Sequence, residues 1–278
     1  METPTKGYNL SIAVNNFNLS YDDVGEGNIP IIFLHGYPFD KTMWLGQLDF
    51  LKLSYRLIAC DIRGFGESKD EESALSIDMF GDDLIQFMDQ LNIDKAVVCG
   101  LSMGGFIALN AHQKFPNRFE SLILCDTQCI ADTAEGKAKR YATIDEIIEN
   151  GVTSFNEGFI KKVFHKDSLT EKKELVEQLR GVVFSNSEQI IIHGLVALAE
   201  RSESCSTLSE ITVPTLIICG REDIVTPLSE SEFMNANIKG SILKVIDKAG
   251  HVSNLEQPEV FNIHLSEFLA SLNGVGGE

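Results

Sequence analysis

Gly100-Leu101-Ser102-Met103-Gly104 sets one hydroxyl between two glycines, directly after the apolar run Ala96–Cys99 and before the helical pattern Phe106–His112. G-x-S-x-G between a strand and a helix is the sequence of a nucleophile elbow, a strained turn that lifts the serine clear of the backbone. Glycines two residues to either side let such a turn close without side-chain collisions. The helix that follows also points its free amides and positive dipole end at the hydroxyl. The plain alternative is a turn serine that only caps this helix. A serine hydroxyl is a poor nucleophile until a base removes its proton. His251, in the glycine-preceded loop of "DKAGHVSNLEQP", is the candidate base. A carboxylate must then orient the imidazole and stabilise its cation. Asp223, in "LIICGREDIVTP", is the candidate, and Asp126, directly after the run Leu122–Cys125, is its rival. The longer loop favours Asp223. A rate that depends on a histidine base should fall below about pH 6.5.

Acyl transfer also needs N–H groups aimed at the oxyanion that develops. The backbone N–H of Met103, next to the nucleophile, is one expected donor. The N–H of Tyr37 in "LHGYPF" is the second: Gly36 opens the backbone there, and Pro38 has no N–H and stiffens the chain just beyond. His35 is expected to brace this loop. Trp44 and Phe106 are candidate walls of an acyl pocket, and His193 in "IIIHGLVAL" is a candidate lining residue, although core packing would also explain all three. His112, His165 and His264 receive no role. In "DIRGFGES", Arg63 and Asp61 are expected to pair and the glycines to permit a turn, with no chemistry assigned.

The elements that must carry these residues show in the hydrophobic pattern. Ile31–Leu34, Leu57–Cys60, Ala96–Cys99, Leu122–Cys125, Leu216–Cys219 and Ile242–Ile246 are apolar nearly throughout, which suits strands buried on both faces of a parallel sheet. Ile77, Phe80, Leu84, Phe87 and Leu91 recur at helical spacing. Tyr8–Val14 and Asn18–Val24 alternate more and predict an antiparallel opening hairpin. Strand and helix taking turns specify a doubly wound α/β sheet, whose ligands bind beyond the carboxyl ends of the strands. The interval 126–214 is far longer than the dozen or so residues of a simple crossover. Its patterns at Ile144–Gly151, Glu171–Val183 and Glu188–Glu200 predict an inserted helical cap. The expected division is core at 1–127, cap at 128–211 and core again at 212–278.

Composition excludes several classes. With 23 basic and 41 acidic residues, the net charge of −18 should repel nucleic acid and anionic lipid. No run approaches the eighteen or so apolar residues of a membrane span. The start "METPTKGYNL" lacks a signal-peptide core, so a cytoplasmic protein is expected. "NGVGGE" reads as a flexible tail. Of six cysteines, Cys60, Cys99, Cys125 and Cys219 each end an apolar run, and no CxxC occurs. The cysteines are therefore read as free core residues of a protein in a reducing compartment, with no metal site.

Along nearly its whole length the chain resembles serine hydrolases of the α/β-hydrolase fold, through "LHGYP", "DIRGFGES", "GLSMGG", "GREDIVTP" and "AGHVSNLEQP" in this order. The order Ser102, Asp223, His251 is also that of the fold. The resemblance implies a mostly parallel eight-stranded sheet with helices on both faces and a helical cap inserted after the sixth strand. It implies Ser102 as nucleophile, Asp223 as acid, His251 as base, and Tyr37 with Met103 at the oxyanion. Haloalkane dehalogenases and epoxide hydrolases differ in placing aspartate where Ser102 stands, and carbon–carbon bond hydrolases carry extra glycines that "HGYPFD" lacks. The start of the insertion, "LILCDTQCIADTAEGKAKRYATI", is similar to that of 3-oxoadipate enol-lactonases. Arg140 falls on an arginine of that group, which implies contact with a substrate carboxylate, whereas Lys137 replaces an expected aromatic residue. "HGYP" and "GLSMGG" suit small carboxylesterases and cofactor-free perhydrolases equally well. The implied activity is cleavage of a small-molecule carboxylic ester or lactone through an acyl-enzyme, without cofactor. The alternatives are a perhydrolase, or a receptor of the same fold that keeps the triad and binds a small ligand.

Overall fold

Strands that are apolar on both faces need cover on both sides, and the chain supplies it. The computed structural model describes residues 6–273; residues 1–5, and the expected tail beyond Asn273, lie outside the described residues. Eight strands form one sheet: β1 (Gly7–Val14), β2 (Phe17–Val24), β3 (Ile31–Leu34), β4 (Leu57–Cys60), β5 (Ala96–Leu101), β6 (Phe119–Cys125), β7 (Thr215–Gly220) and β8 (Ile242–Ile246). Their order is β1-β2-β4-β3-β5-β6-β7-β8. The predicted hairpin is β1–β2, β2 pairs with β4 antiparallel, and every other pairing is parallel.

Because side chains alternate along a strand, the inner strands feed two cores. Ile32, Leu34, Ala96 and Val98 face one side, where α2 (Ile77–Gln90) and α3 (Met103–Lys114) bring Phe80, Leu84 and Ile107. Ile31, Phe33, Val97 and Cys99 face the other, covered by α1 (Leu45–Leu51) and α11 (Pro258–Asn273) through Leu48, Phe261 and Leu265. Full burial of each valine, leucine, isoleucine or phenylalanine among them is worth about 1.5–3 kcal/mol. Two further helices, α9 (Leu228–Asn237) and the short α10 (Ser253–Glu256), flank the last strand.

Between β6 and β7 the chain forms α4 (Ala134–Asn150), α5 (Thr153–Val163), α6 (Ser168–Glu171), α7 (Lys173–Phe184) and α8 (Glu188–Glu200). Thr133 and Ser187 cap α4 and α8 through their side chains. The insertion straddles the sheet end. Ile190 and Leu195 of α8 join one core, while Ile160, Val163 and Leu179 join the other. Among the described residues, no single helix is long and apolar enough to cross a membrane.

Two readings of the sequence need correction here. Cys129 and Cys205 form a disulfide, so not all six cysteines are free, and cysteine usage no longer argues for a reducing compartment. Cys60, Cys99, Cys125 and Cys219 are free and buried, as expected of residues closing buried strands. Arg63 does not pair with Asp61. Its guanidinium bonds Asp83 (2.6 and 2.7 Å) and Asp70 (2.8 Å) and lies over the Phe17 ring. Asp61 instead accepts the backbone N–H groups of Lys41 (2.7 Å) and Glu67 (3.0 Å), tying together two loops at the sheet end.

Candidate active site

Register brings the ends of β3, β5, β6, β7 and β8 level: Leu34 lies beside Gly100, Leu101 beside Cys125, Cys125 beside Ile218, and Gly220 beside Ile246. Ser102 follows β5 with φ 53° and ψ −113°, a conformation costing a non-glycine residue on the order of 1–3 kcal/mol. Tight backbone packing enforces it. A Cβ on Gly100 would stand 2.2 Å from the Gly104 carbonyl oxygen, and one on Gly104 would stand 2.3 Å from that of Leu34. The Ser102 N–H donates to Cys125 O (2.9 Å), and Thr127 Oγ1 donates to Ser102 O (2.8 Å), so the end of β6 pins the turn. The hydroxyl makes no capping bond to α3, which removes the plain alternative. It lies 2.8 Å from His251 Nε2.

Behind it, His251 Nδ1 is 2.8 Å from Asp223 Oδ2. Asp223 is itself fixed by its own loop, accepting from Val225 N (2.7 Å), Thr226 N (3.0 Å) and Thr226 Oγ1 (2.7 Å). Both partners are fully buried or nearly so. Burial alone would lower the His251 pKa, but the charge and hydrogen bond of Asp223, with Asp126 and Glu256 behind, raise it above the ordinary value. Burial would raise that of Asp223; His251 and the Thr226 bonds hold it below. Asp126 makes no bond to the imidazole. Its oxygens accept from Gly220 N (2.8 Å) and Ser253 Oγ (2.5 Å), and burial with the Asp223 charge pushes its pKa up to about 8.

Among the described residues, the N–H groups of Tyr37 and Met103 have no protein acceptor. The loop that carries Tyr37 packs on the elbow: a Cβ on Gly36 would sit 3.2 Å from Ser102 Cβ. His35 braces it as expected. Nε2 accepts from Ile62 N (2.9 Å), which leaves Nδ1 to donate to Gly36 O (2.8 Å). Burial lowers the His35 pKa and keeps the ring neutral in that tautomer. The Tyr37 hydroxyl also donates to Ile191 O (2.8 Å), anchoring α8 over the site.

A cavity of about 240 Å³ opens above Ser102 and His251. Phe106 and Arg140, two of the candidates from the sequence, are among the residues that line it. Trp44 does not. It is fully buried between Phe33 and Phe261, because the turn at Lys41–Trp44 directs it into the lower core, the one covered by α1 and α11. His193 does not line it either. Leu195 of α8 faces the cavity, and a residue two positions away points about 200° around the helix. Arg140 pairs with Asp132, which also holds Arg201 (2.8 Å). The sequence reading missed Phe155, Phe159 and Lys162, which line the cavity from one face of α5. Their i, i+4, i+7 spacing was the available signal. With Lys139, the lining holds three cationic side chains and no carboxylate.

A serine, histidine and aspartate joined in line at the carboxyl edge of a parallel sheet, on an elbow of this geometry, define a class of protein in which serine is equipped for acyl chemistry. The alpha/beta hydrolase fold family matches residues 29–258, and the chain belongs to it. It is 31% identical over 273 residues to 3-oxoadipate enol-lactonase 1 of Acinetobacter baylyi, covering 98% of this chain and 97% of the relative. Among solved structures it is similar to a thermophilic esterase from Thermogutta terrifontis (TM-score 0.89, 31% identity, 95% and 98% coverage). The enol-lactonase from Burkholderia xenovorans LB400 is likewise similar (TM-score 0.87, 25% identity, 94% and 100% coverage). With such relatives, the chain is a hydrolase of this family.

Proposed function

We propose that the chain hydrolyses a carboxylic ester or lactone of a small anionic acid through an acyl-enzyme, with an inserted cap over the reaction. Ser102 attacks the acyl carbonyl while His251 Nε2 accepts its proton, and Asp223 steadies the imidazolium that forms. The N–H groups of Tyr37 and Met103 receive the negative charge of the tetrahedral intermediate. Each such donor is worth about 100- to 1,000-fold in turnover. His251 then gives its proton to the departing alkoxide or enolate, and water repeats the sequence to release the acid.

The observation that carries this reading is the pair of 2.8 Å contacts joining Ser102, His251 and Asp223. The anionic substrate is inferred from Lys139, Arg140 and Lys162, gathered at one cavity on a chain of net charge −18. Repeated turnover of p-nitrophenyl acetate tests it. Ser102→Ala, with unchanged circular dichroism, should lose at least about 10⁴-fold in kcat. A variant that keeps wild-type turnover would refute the nucleophile. No turnover by the wild-type protein, together with a ligand-induced thermal shift, would favour the receptor instead.

A further inference from the structure

Glu256 is a fully buried carboxylate to which the acyl-transfer steps give no part. It sits in α10, five residues after His251, and has no solvent to satisfy it. A charge in that setting is costly unless hydrogen bonds replace its hydration. Two backbone donors do so from opposite sides. Gly250 N donates to Oε2 (2.6 Å), and His165 N donates to Oε1 (2.8 Å). Gly250 directly precedes the candidate base, whereas His165 lies just past the end of α5 in the insertion. The two segments are in backbone contact as well. His251 N donates to Val163 O (2.7 Å), and a Cβ on Gly250 would stand 2.8 Å from that same carbonyl oxygen. Lys172 Nζ bonds the Glu256 carbonyl from the start of α7.

From this juxtaposition we propose that Glu256 is the positioning residue for His251, clamping the base to the end of the helix that lines the substrate cavity. Val163 is the last residue of α5, and Phe159 and Lys162 of the same helix line the cavity. One side chain thus fixes the distance between the substrate wall and the base, although it touches neither substrate nor reacting atoms. The groups facing Glu256 are His165, Ser168 and Lys172 from the insertion and Gly250 from its own side. Those facing His251 are Asp223, Thr226, Asp126 and Ser102. The inference rests on His251 being the base.

Glu256→Gln keeps the volume but turns an amide N–H₂ toward one of the two N–H donors and removes the negative charge. Glu256→Asp keeps the charge and shortens the reach. A misplacement of about 1 Å costs on the order of 100-fold in rate. Both variants should therefore lose about 10- to 100-fold in kcat for p-nitrophenyl acetate, with much smaller changes in KM. Only Glu256→Gln should also move the acid limb of kcat/KM to lower pH, because a carboxylate that favours the imidazolium is gone. A purely structural role would not separate the two pH profiles. Folded Glu256→Gln with kcat within twofold of wild type and an unmoved limb overturns the proposal. If Glu256→Gln does not fold, Glu256→Asp decides through kcat. Ser102→Ala, run in parallel, separates the two failures: if it is inactive while the Glu256 variants are unimpaired, the triad stands and the clamp falls.

Discussion

Of the buried carboxylates around His251, Asp223 and Asp126 both follow strand ends, and hydrogen-bond geometry separates their roles. Asp223 bonds Nδ1 and holds three donors from its own loop; Asp126 is spent on Gly220 and Ser253, and burial with the Asp223 charge pushes its pKa up to about 8. Asp223→Asn should therefore cost on the order of 10⁴-fold in kcat by imposing the wrong imidazole tautomer. Asp126→Asn, an isostere at a side chain that makes no bond to the imidazole, should cost less than about tenfold. Equal losses in the two variants would contradict this division. The alignment of Ser102, Asp223 and His251 was legible in the sequence because each follows a strand, in a loop with its own glycine or proline signature. The ionisation of His251 was not. Sequence places the acid limb near the ordinary 6.5; burial is the largest single influence and lowers the pKa, but the charge and hydrogen bond of Asp223 with the Asp126 and Glu256 charges together outweigh it and raise the pKa. The neutral base is then lost on acidification above 6.5, so kcat/KM should start to fall at a higher pH than an isolated histidine would give. The same raised pKa contributes stability that is fully present below 6.5 and disappears as pH rises through the folded value. A kcat/KM profile with its limb at or below 6.5 would refute the assignment.

At the scale of elements, the legible part was the part that periodicity controls. The strands of the sheet and α2 come from apolar runs and a three-to-four spacing. The orientation of side chains at the mouth and in the insertion depends on how short helices dock, and there the reading failed for Trp44 and His193. It also passed over α5, whose amphipathic face divides its duties. Phe155 and Phe159 stack at 6.1 Å and form one wall of the cavity, Phe159 also meets Tyr37 edge-on, and Ile160 and Val163 enter the lower core. Lys162 differs from its two cationic neighbours. Lys139 pairs with Glu135 and Arg140 with Asp132, whereas among the described residues Lys162 has no carboxylate within ion-pair distance. It is the cation most available to a substrate. Because it is exposed, its attraction for a substrate carboxylate is screened to about 1 kcal/mol. Lys162→Ala should accordingly raise KM about fivefold for an ester bearing a free carboxylate, and leave the matching neutral ester nearly unchanged. Parallel shifts for both esters would remove the charge argument and leave α5 a packing role only.

For the molecule as a whole, the question is what holds an insertion of five helices against the sheet end. Several ties cross the boundary. Tyr37 bonds α8, Glu256 and His251 bond the end of α5, and the buried faces of α5, α7 and α8 continue both cores. The Cys129–Cys205 disulfide adds a covalent one, joining the segment that leaves β6 to the turn Cys205–Glu210 before β7. Ser204 N donates to Cys129 O (2.8 Å) beside it. Nothing in the spacing announced this pair. The two cysteines are 76 residues apart in loop and turn segments, and only the return of the insertion to its starting point brings them together. A crosslink closing so long a loop removes much of the freedom of the unfolded chain, typically about 2–4 kcal/mol. It sits at the base of the insertion, beside Gln128 and Arg201, and neither cysteine lines the cavity over Ser102 and His251, so its removal should act on stability before it acts on turnover. Cys205→Ser, or the wild-type protein in excess dithiothreitol, should therefore unfold at a temperature lower by roughly 5–10 °C. At 25 °C, kcat should stay within about twofold of wild type, since the triad loops are held by their own hydrogen bonds. Identical melting with and without reductant, after alkylation has shown both thiols to be free, would mean that the hydrogen bonds and shared cores alone seat the insertion.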